Sequence, residues 1–354
     1  MTNQYLPKHF DVFMGIDVDK NSFSFTARDH DIMNRSKKIP SNPESLYNYI
    51  RNQFPDKSIL CAYEAGPTGF GLYDYLISKQ IDCMVVSPLS IPKAPNQKVK
   101  NNRLDSERIA EELKAGKLQP IRVPEGPYRE LRHLVSLRAN YVQQGRIAKQ
   151  RIRSLLLYAN IDLAPNDSRQ SWSNSYLKSL RKLECNPALR HRLDMLLMDV
   201  EYARRQLLTV LKELKAFYKK NLDIDAYRRY AQSVPGIGLI IALTLLGRSG
   251  NPAQLKNVRE LAAFLGLVPS EKSTGDTVQR GYITHLGNAV LRSMIIEASW
   301  IAIRKDSELN QFYHRIKARH HPQVAAKKAI VAVARKLTQR LYCVLKEQRM
   351  YIVR

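Results

Sequence analysis

From Pro127 to about Phe217 the chain carries almost no glycine, and apolar residues recur seven positions apart. Leu134, Tyr141, Ala148 and Leu155 form one series. Leu193, Val200, Leu207 and Leu214 form another, with Leu196, Ala203, Val210 and Phe217 at the matching second seam position. Such a repeat is satisfied by long helices that bury one stripe against a partner, so it predicts a helical hairpin or coiled coil across 126–225. Asn160 to Ser175, with Pro165, Asn166, Asp167 and several serines, supplies turn chemistry between the two series. The stripe leaves open whether that partner lies in the same chain or in another copy.

The segment before it obeys a different period. Val12 to Val18 is a short apolar run, and Ser22 to Ala27 alternates like a half-buried strand, which predicts a hairpin turned at Asp19-Lys20-Asn21. Pro43 to Phe54 has helical spacing through Leu46, Tyr49, Ile50 and Phe54. Ser58 to Tyr63 reads as a buried strand ending at Glu64, Gly69 to Lys79 as a helix, and Cys83 to Val86 as another strand. Strands alternating with helices predict an α/β sheet domain over 10–125. The remainder holds a glycine-containing turn, a polar loop from Pro269 to Gly281, a helix from Asn288 to Arg304 and a basic helix from Val324 to Leu345.

Charge narrows the partners. Lys and Arg number 57 against 32 Asp and Glu, a net charge of +25. An excess of this size favours a polyanion, because neutralising phosphates releases counterions. Cys61, Cys83, Cys185 and Cys343 are isolated, without the close pairing of a zinc site or a disulfide framework, which fits a reducing cytoplasm. Met1 to Phe13 lacks the apolar core of a signal peptide, and Ile237 to Leu246 is too short to cross a bilayer. Nucleic acid is therefore the expected partner and a membrane is not.

Several residues could carry chemistry. Asp17 and Glu64 stand at the ends of two predicted strands, where α/β sheets hold their ligands. Two carboxylates side by side repel unless a hard cation such as Mg²⁺ bridges them. Asn102 and Asp105 lie three apart at a predicted helix start, so both can face one site. Taken singly, Asp17 also reads as a solvated turn acid and Asp105 as an acid favoured by the helix dipole. Val234-Pro235-Gly236-Ile237-Gly238 has the form of a helix–hairpin–helix turn, whose glycines let backbone N–H groups approach a phosphate or simply close a tight turn. Ser273-Thr274-Gly275, followed by Arg280 and His285, combines hydroxyls with cations, which suits either an activated nucleophile or an ordinary solvated loop. Arg129, Arg132, Arg138, Arg146, Lys149, Arg151 and Arg153 form a lopsided basic helix suited to a phosphate backbone. Lys327, Lys328, Arg335, Lys336 and Arg340 form a second such face.

Five of these segments occur in an order that resembles the DEDD transposases of bacterial insertion sequences, relatives of the pilin-inversion recombinase and of bridge-RNA-guided recombinases. They are Gly15-Ile16-Asp17, Tyr63-Glu64-Ala65, Lys100 to Ser106 with Ile109-Ala110, Val234 to Gly238, and Gly266 to Gly275. The resemblance runs from about Val12 to Tyr342. It implies an α/β plus all-α chain: a RuvC-like (RNase H-type) metal-binding domain over 10–125, a coiled-coil region over 126–225, a mostly helical C-terminal transposase domain with a serine loop over 226–320, and a basic C-terminal helix over 321–354. It maps an acidic tetrad onto Asp17, Glu64, Asn102 and Asp105, with Asn102 where the family has an acid; an amide oxygen ligates Mg²⁺ without contributing charge.

It further implies a Mg²⁺-assisted serine attack on DNA with strand exchange. Residue type favours Ser273 as nucleophile, and spacing from Pro269 favours Thr274. Arg280 would help hold the strands. Expected partners are element-end and target DNA, a structured non-coding RNA, and further copies of the chain as a dimer or tetramer whose active sites combine two chains, in the bacterial cytoplasm at the nucleoid. The alternatives are a RuvC-like structure-selective nuclease and a non-catalytic nucleic-acid-binding protein.

Overall fold

A computed structural model describes residues 5–31, 33–88, 90–92, 102–124, 126–161, 172–274, 277–284 and 286–352; over 271–274 and 277–280 it describes the backbone alone. It divides into two compact units, Met1–Val123 and Pro124–Arg354.

The first unit is a five-stranded mixed sheet in the order β3-β2-β1-β4-β5. Its strands are β1 (Val12–Val18), β2 (Ser22–Arg28), β3 (Asn34–Pro40), β4 (Ile59–Glu64) and β5 (Asp82–Val86). β1, β2 and β3 form an antiparallel meander, while β4 and β5 run parallel to β1. The expected hairpin closes where the Asp19 N–H donates to the Ser22 carbonyl at 3.0 Å. Three helices cover the sheet: α1 (Pro43–Gln53), α2 (Gly71–Ser78) and α3 (Asn102–Lys114). One face buries Val12, Met14, Ile16 and Phe25 with Leu46, Ile50, Leu72 and Leu76 of α1 and α2. The other buries Phe13, Leu60, Ala62 and Met84 with Ile109 and Leu113 of α3. Covered on both sides, β1 must be apolar at consecutive positions, which is why it reads as a run and not an alternation.

β3 escapes the sequence reading. Its Asn-Arg-Ser-Lys-Lys core is exposed at the sheet edge, so no hydrophobic alternation marks it.

In the second unit, α4 (Gly126–Tyr158) and α6 (Pro187–Lys220) are the two long helices, with α5 (Asn174–Lys182) between them in sequence. Leu193, Val200 and Leu196 share a core with Ala148, Ile152 and Leu155, so residues of the two heptad series bury against one another within the chain. The remaining α-helices among the described residues are α7 (Leu222–Ser233), α8 (Leu239–Ser249), α9 (Val258–Phe264), α10 (Ala289–Lys305), α11 (Ser307–Lys317) and α12 (Pro322–Lys346). They share a second core that also takes in Leu131 and Val135 of α4. The segment expected as a polar loop, Pro269 to Gly281, is instead a two-stranded antiparallel sheet of β6 (Pro269–Thr274) and β7 (Thr277–Ile283). Ladder hydrogen bonds let polar residues form strands without an apolar face, and that leaves no sequence period to detect.

The lock of the first unit is Gly15. A Cβ there would stand 2.2 Å from the Ser106 carbonyl oxygen and 2.3 Å from the Ala110 nitrogen, both backbone atoms of α3. Gly15→Ala is therefore expected to destabilise the protein by about 1–3 kcal/mol or more through overpacking. Gly71→Ala, where a Cβ meets nothing within 4 Å, should stay within about 0.5 kcal/mol of wild type. Urea unfolding of the two variants checks the contrast.

Candidate active site

Two transverse rows of residues organise the α3 face of the sheet. Directly paired residues on neighbouring strands point to the same side. In the first row, Ser36, Thr26, Gly15 and Ala62 are register partners across β3, β2, β1 and β4. α3 is bonded onto this row. Its backbone meets Gly15, the Thr26 and Ser106 hydroxyls share a buried hydrogen bond of 2.9 Å, and Thr26 also bonds Ser36 at 2.9 Å. Ser36 in turn donates to Glu107 of α3 at 3.3 Å. The sequence gives none of these three hydroxyls a role, and a buried, fully partnered Thr-Ser pair leaves no motif.

The second row lies two residues nearer the carboxyl end of β1. It contains Lys38, Ser24 and Asp17 as register partners. Glu64 follows Tyr63, the partner of Ile16, just as Asp17 follows Ile16, so the two strand-end acids are neighbours on parallel strands. Adjacent strands lie about 4.8 Å apart, close enough for one cation to serve both carboxylates. Asp17 is half-buried and Glu64 exposed.

α3 aims its first turn at this row. Its C-terminal Lys114 donates to the His30 carbonyl at 2.9 Å, and His30 bonds the Phe10 carbonyl at 2.8 Å, ahead of β1. Ser106 and Ala110 lie at Gly15, so the helix runs opposite to β1 and begins at the end that carries Asp17. Asn102 and Asp105 extend the buried stripe Ser106-Ile109-Ala110-Leu113 toward its N-terminus. The sequence-derived quartet thus shares one face and one end of the sheet. Asp105 is half-exposed and pairs with Arg108 at 3.8 Å.

Among the described residues, no three His, Cys, Asp or Glu side chains stand close enough to make a complete metal cage, so Asp105 does not complete one with Asp17 and Glu64 as expected from the sequence. Mg²⁺ needs none, since one or two carboxylates with water and phosphate oxygens suffice. The Asp17–Glu64 pair has that donor chemistry.

The other candidates lie in the second unit. Ser273 and Thr274 end β6, paired with Val278 and Thr277, and Arg280 of β7 pairs with Glu271; their side chains lie outside the described residues, as do Lys100, Asn101, Gly275 and His285 entirely. In the Val234–Gly238 turn, Gly236 has φ +85°, and a Cβ would stand 2.2 Å from the Ala298 carbonyl of α10. That glycine lets the turn pack onto a helix. A Cβ at Gly238 would meet nothing within 4 Å, which leaves the open position of the turn there, at the N-cap of α8.

The seven basic residues of α4 divide. Arg129 donates to the Pro124 carbonyl at 2.6 Å. Burial pushes the Arg138 pKa down, and burial together with Arg204 and Arg153 lowers that of Lys149. Lys149 and Arg153 each lie 5.7 Å from the centre of the Trp172 ring. Arg132, Arg146, Arg151 and Arg153 are exposed, as contact with a phosphate backbone requires. On α12, Lys336 is bound to Glu308, and Arg340 to both Asp306 and Glu308. Asp306 is 2% exposed; burial opposes its ionisation, but bonds from the Leu309 N–H, the Tyr351 hydroxyl and Arg340 hold its carboxyl below the usual range. Those two cations are structural, and Lys327, Lys328 and Arg335 remain exposed.

Comparison with known proteins gives this architecture a class. The profile described as "Transposase IS116/IS110/IS902 family" matches residues 228–314, and an IS110-type DEDD profile described as "Transposase" matches residues 14–161. The y4qE transposase candidate of Sinorhizobium fredii is 33% identical over 239 residues, which cover 67% of this chain and 57% of that relative. The chain thus spans little more than half of that relative's length. The transposase for insertion sequence element IS1111A of Coxiella burnetii is 24% identical over 82% of this chain and 78% of its own. The transposase for IS1533 of Leptospira borgpetersenii is 25% identical over 72% and 74%. The chain belongs to the IS110-type family of DEDD insertion-sequence transposases.

The acid pair makes a direct prediction. Asp17→Asn and Glu64→Gln should each weaken Mn²⁺ binding at least about tenfold, or about 1.4 kcal/mol, without shifting the unfolding midpoint. Asn102→Asp should strengthen it by a similar factor by adding a charged ligand. Calorimetric titration of the three variants checks both signs.

Proposed function

We propose that the protein is a DNA recombinase that moves an insertion sequence by serine attack on a phosphodiester, in a RuvC-like acid site and with a structured RNA as guide. The observation that supports it is the placing of Asp17 and Glu64, each one residue beyond the Ile16–Tyr63 partners, at adjacent strand ends on the side of α3, in a chain of this transposase family. When bound by Asp17 and Glu64, with Asp105 and the Asn102 amide beside them, Mg²⁺ would supply Lewis-acid stabilisation of charge on the phosphate.

The chain's own residues do the rest. The Ser273 hydroxyl attacks phosphorus, the bond to the 3′-oxygen breaks, and the serine's proton goes to the departing 3′-oxygen. The 5′ phosphate is left esterified to the serine. That ester conserves the energy of the broken bond, so attack by a new 3′-hydroxyl rejoins DNA without ATP and returns the proton. Thr274 is the alternative hydroxyl at this place. Arg280, the Gly238 turn and the exposed arginines of α4 hold the strands through their phosphates. Dimers or tetramers of the chain bring together the DNA ends that exchange.

A nicked duplex built from the DNA flanking the gene, labelled 3′ to the cleavage point, tests the reading. Wild type should give a covalent protein–DNA adduct. Ser273→Ala should bind the duplex with affinity within about twofold of wild type and form no adduct. An adduct of unchanged yield would transfer the role to Thr274, and release of label to water with no adduct from wild type would make the protein a nuclease.

A further inference from the structure

We infer that Lys38 forms a second phosphate subsite beside the acid pair, holding the nucleic-acid backbone next to the phosphate that the acids engage. The inference rests on the acid-site reading above and adds a binding residue to it. Lys38 pairs in register with Ser24, and Ser24 with Asp17. The row across the sheet therefore runs Lys38, Ser24, Asp17, Glu64. At about 4.8 Å per strand, Lys38 stands two strands from Asp17 on the same face. Ser24 between them is small and 6% exposed, so its own side chain does not stand between the cation and the acids.

The position of Lys38 is fixed by its neighbour row. Ser36, two residues earlier on β3, is bonded to Thr26 and to Glu107 of α3. That anchors the edge strand to the helix whose first turn carries Asn102 and Asp105. Glu107, a carboxylate packed against this strand, is already engaged by Arg103 at 2.9 Å as well as by Ser36. Lys38 is exposed, and among the described residues it pairs with no carboxylate. A charge left open beside an acid site suits a diester whose own charge the acids would otherwise repel.

Its neighbours on β3 differ in kind. Lys37 and Arg35 alternate to the opposite face, where Lys37 lies 5.0 Å from the centre of the Tyr49 ring and Arg35 donates to Gln53 at 3.2 Å. Lysines on an edge strand also discourage strand addition, but that role is served from either face. Only a phosphate subsite distinguishes Lys38 from Lys37.

The test uses the full-length protein and a fluorescein-labelled mixed-sequence DNA duplex, with affinity read by anisotropy across a salt series in Mg²⁺ and in EDTA. Lys38→Ala should lower low-salt affinity by roughly threefold to tenfold. It should also make the dependence of log K on log salt shallower by about one unit. Lys38→Arg should restore both, and Lys37→Ala should change neither. Equal effects of Lys37→Ala and Lys38→Ala, or no effect of Lys38→Ala, overturn the inference. Asp17→Ala separates it from the reading beneath it by abolishing the gain in affinity on adding Mg²⁺. If that gain survives Asp17→Ala, the acid site itself is wrong and the subsite falls with it. If the gain is lost while Lys38→Ala binds like wild type, only the subsite is wrong.

Discussion

The geometry of the first unit depends on a helix lying directly on a strand. α3 reaches β1 because Gly15 has no side chain, and its backbone occupies the space a Cβ would need. The Thr26–Ser106 hydroxyl bond and the Ile109–Leu113 stripe then fix where along the sheet the helix sits. The next row toward the strand ends carries the acids. It holds Asp17 and, one strand over, Glu64. Asp17 is half-buried and Glu64 exposed where the buried strands end, and the helix that covers one row carries Asn102 and Asp105 in its first turn.

The charge of the chain is divided between structure and surface. Arg340 and Lys336 neutralise Asp306 and Glu308 where α11 begins, and Arg129 closes the start of α4 on the Pro124 carbonyl. These cations stabilise helix junctions through charge-assisted bonds. Lys149 and Arg153 lie over Trp172, so their stems and charges also cover an aromatic surface. Of the α4 cations, Arg132, Arg146 and Arg151 stay exposed, and among the described residues none of them lies over an aromatic ring. A composition of +25 therefore overstates the phosphate-binding surface. The fraction relevant to nucleic acid is what remains after the fold has used its share.

The sheet, α1, α2 and the long helices were legible in the sequence because each buries a periodic stripe. Asp17 and Glu64 were legible as strand-end acids for the same reason, since an apolar run that stops at a carboxylate marks both the strand and its exposed end. β3 was not, because its side chains are polar on both faces and its pairing is carried by the backbone. The strands β6 and β7 were hidden by the same cause: Ser, Lys, Thr and Gln read as a loop wherever ladder bonds do the work of burial. Gly236 carried a misleading signal. A glycine that accommodates a phosphate and one that accommodates the carbonyl of Ala298 look alike until the neighbouring helix is in place.

The proposed function requires that Asp17 and Glu64 share one divalent ion. Diffraction from crystals of the full chain soaked in Mn²⁺, with anomalous maps collected at the manganese edge, tests it most directly. The expected result is an anomalous peak within coordination distance of both carboxylates, at the end of β1 and β4. Ordered density for the two side chains with no peak between them, and manganese bound elsewhere on the chain, would contradict it.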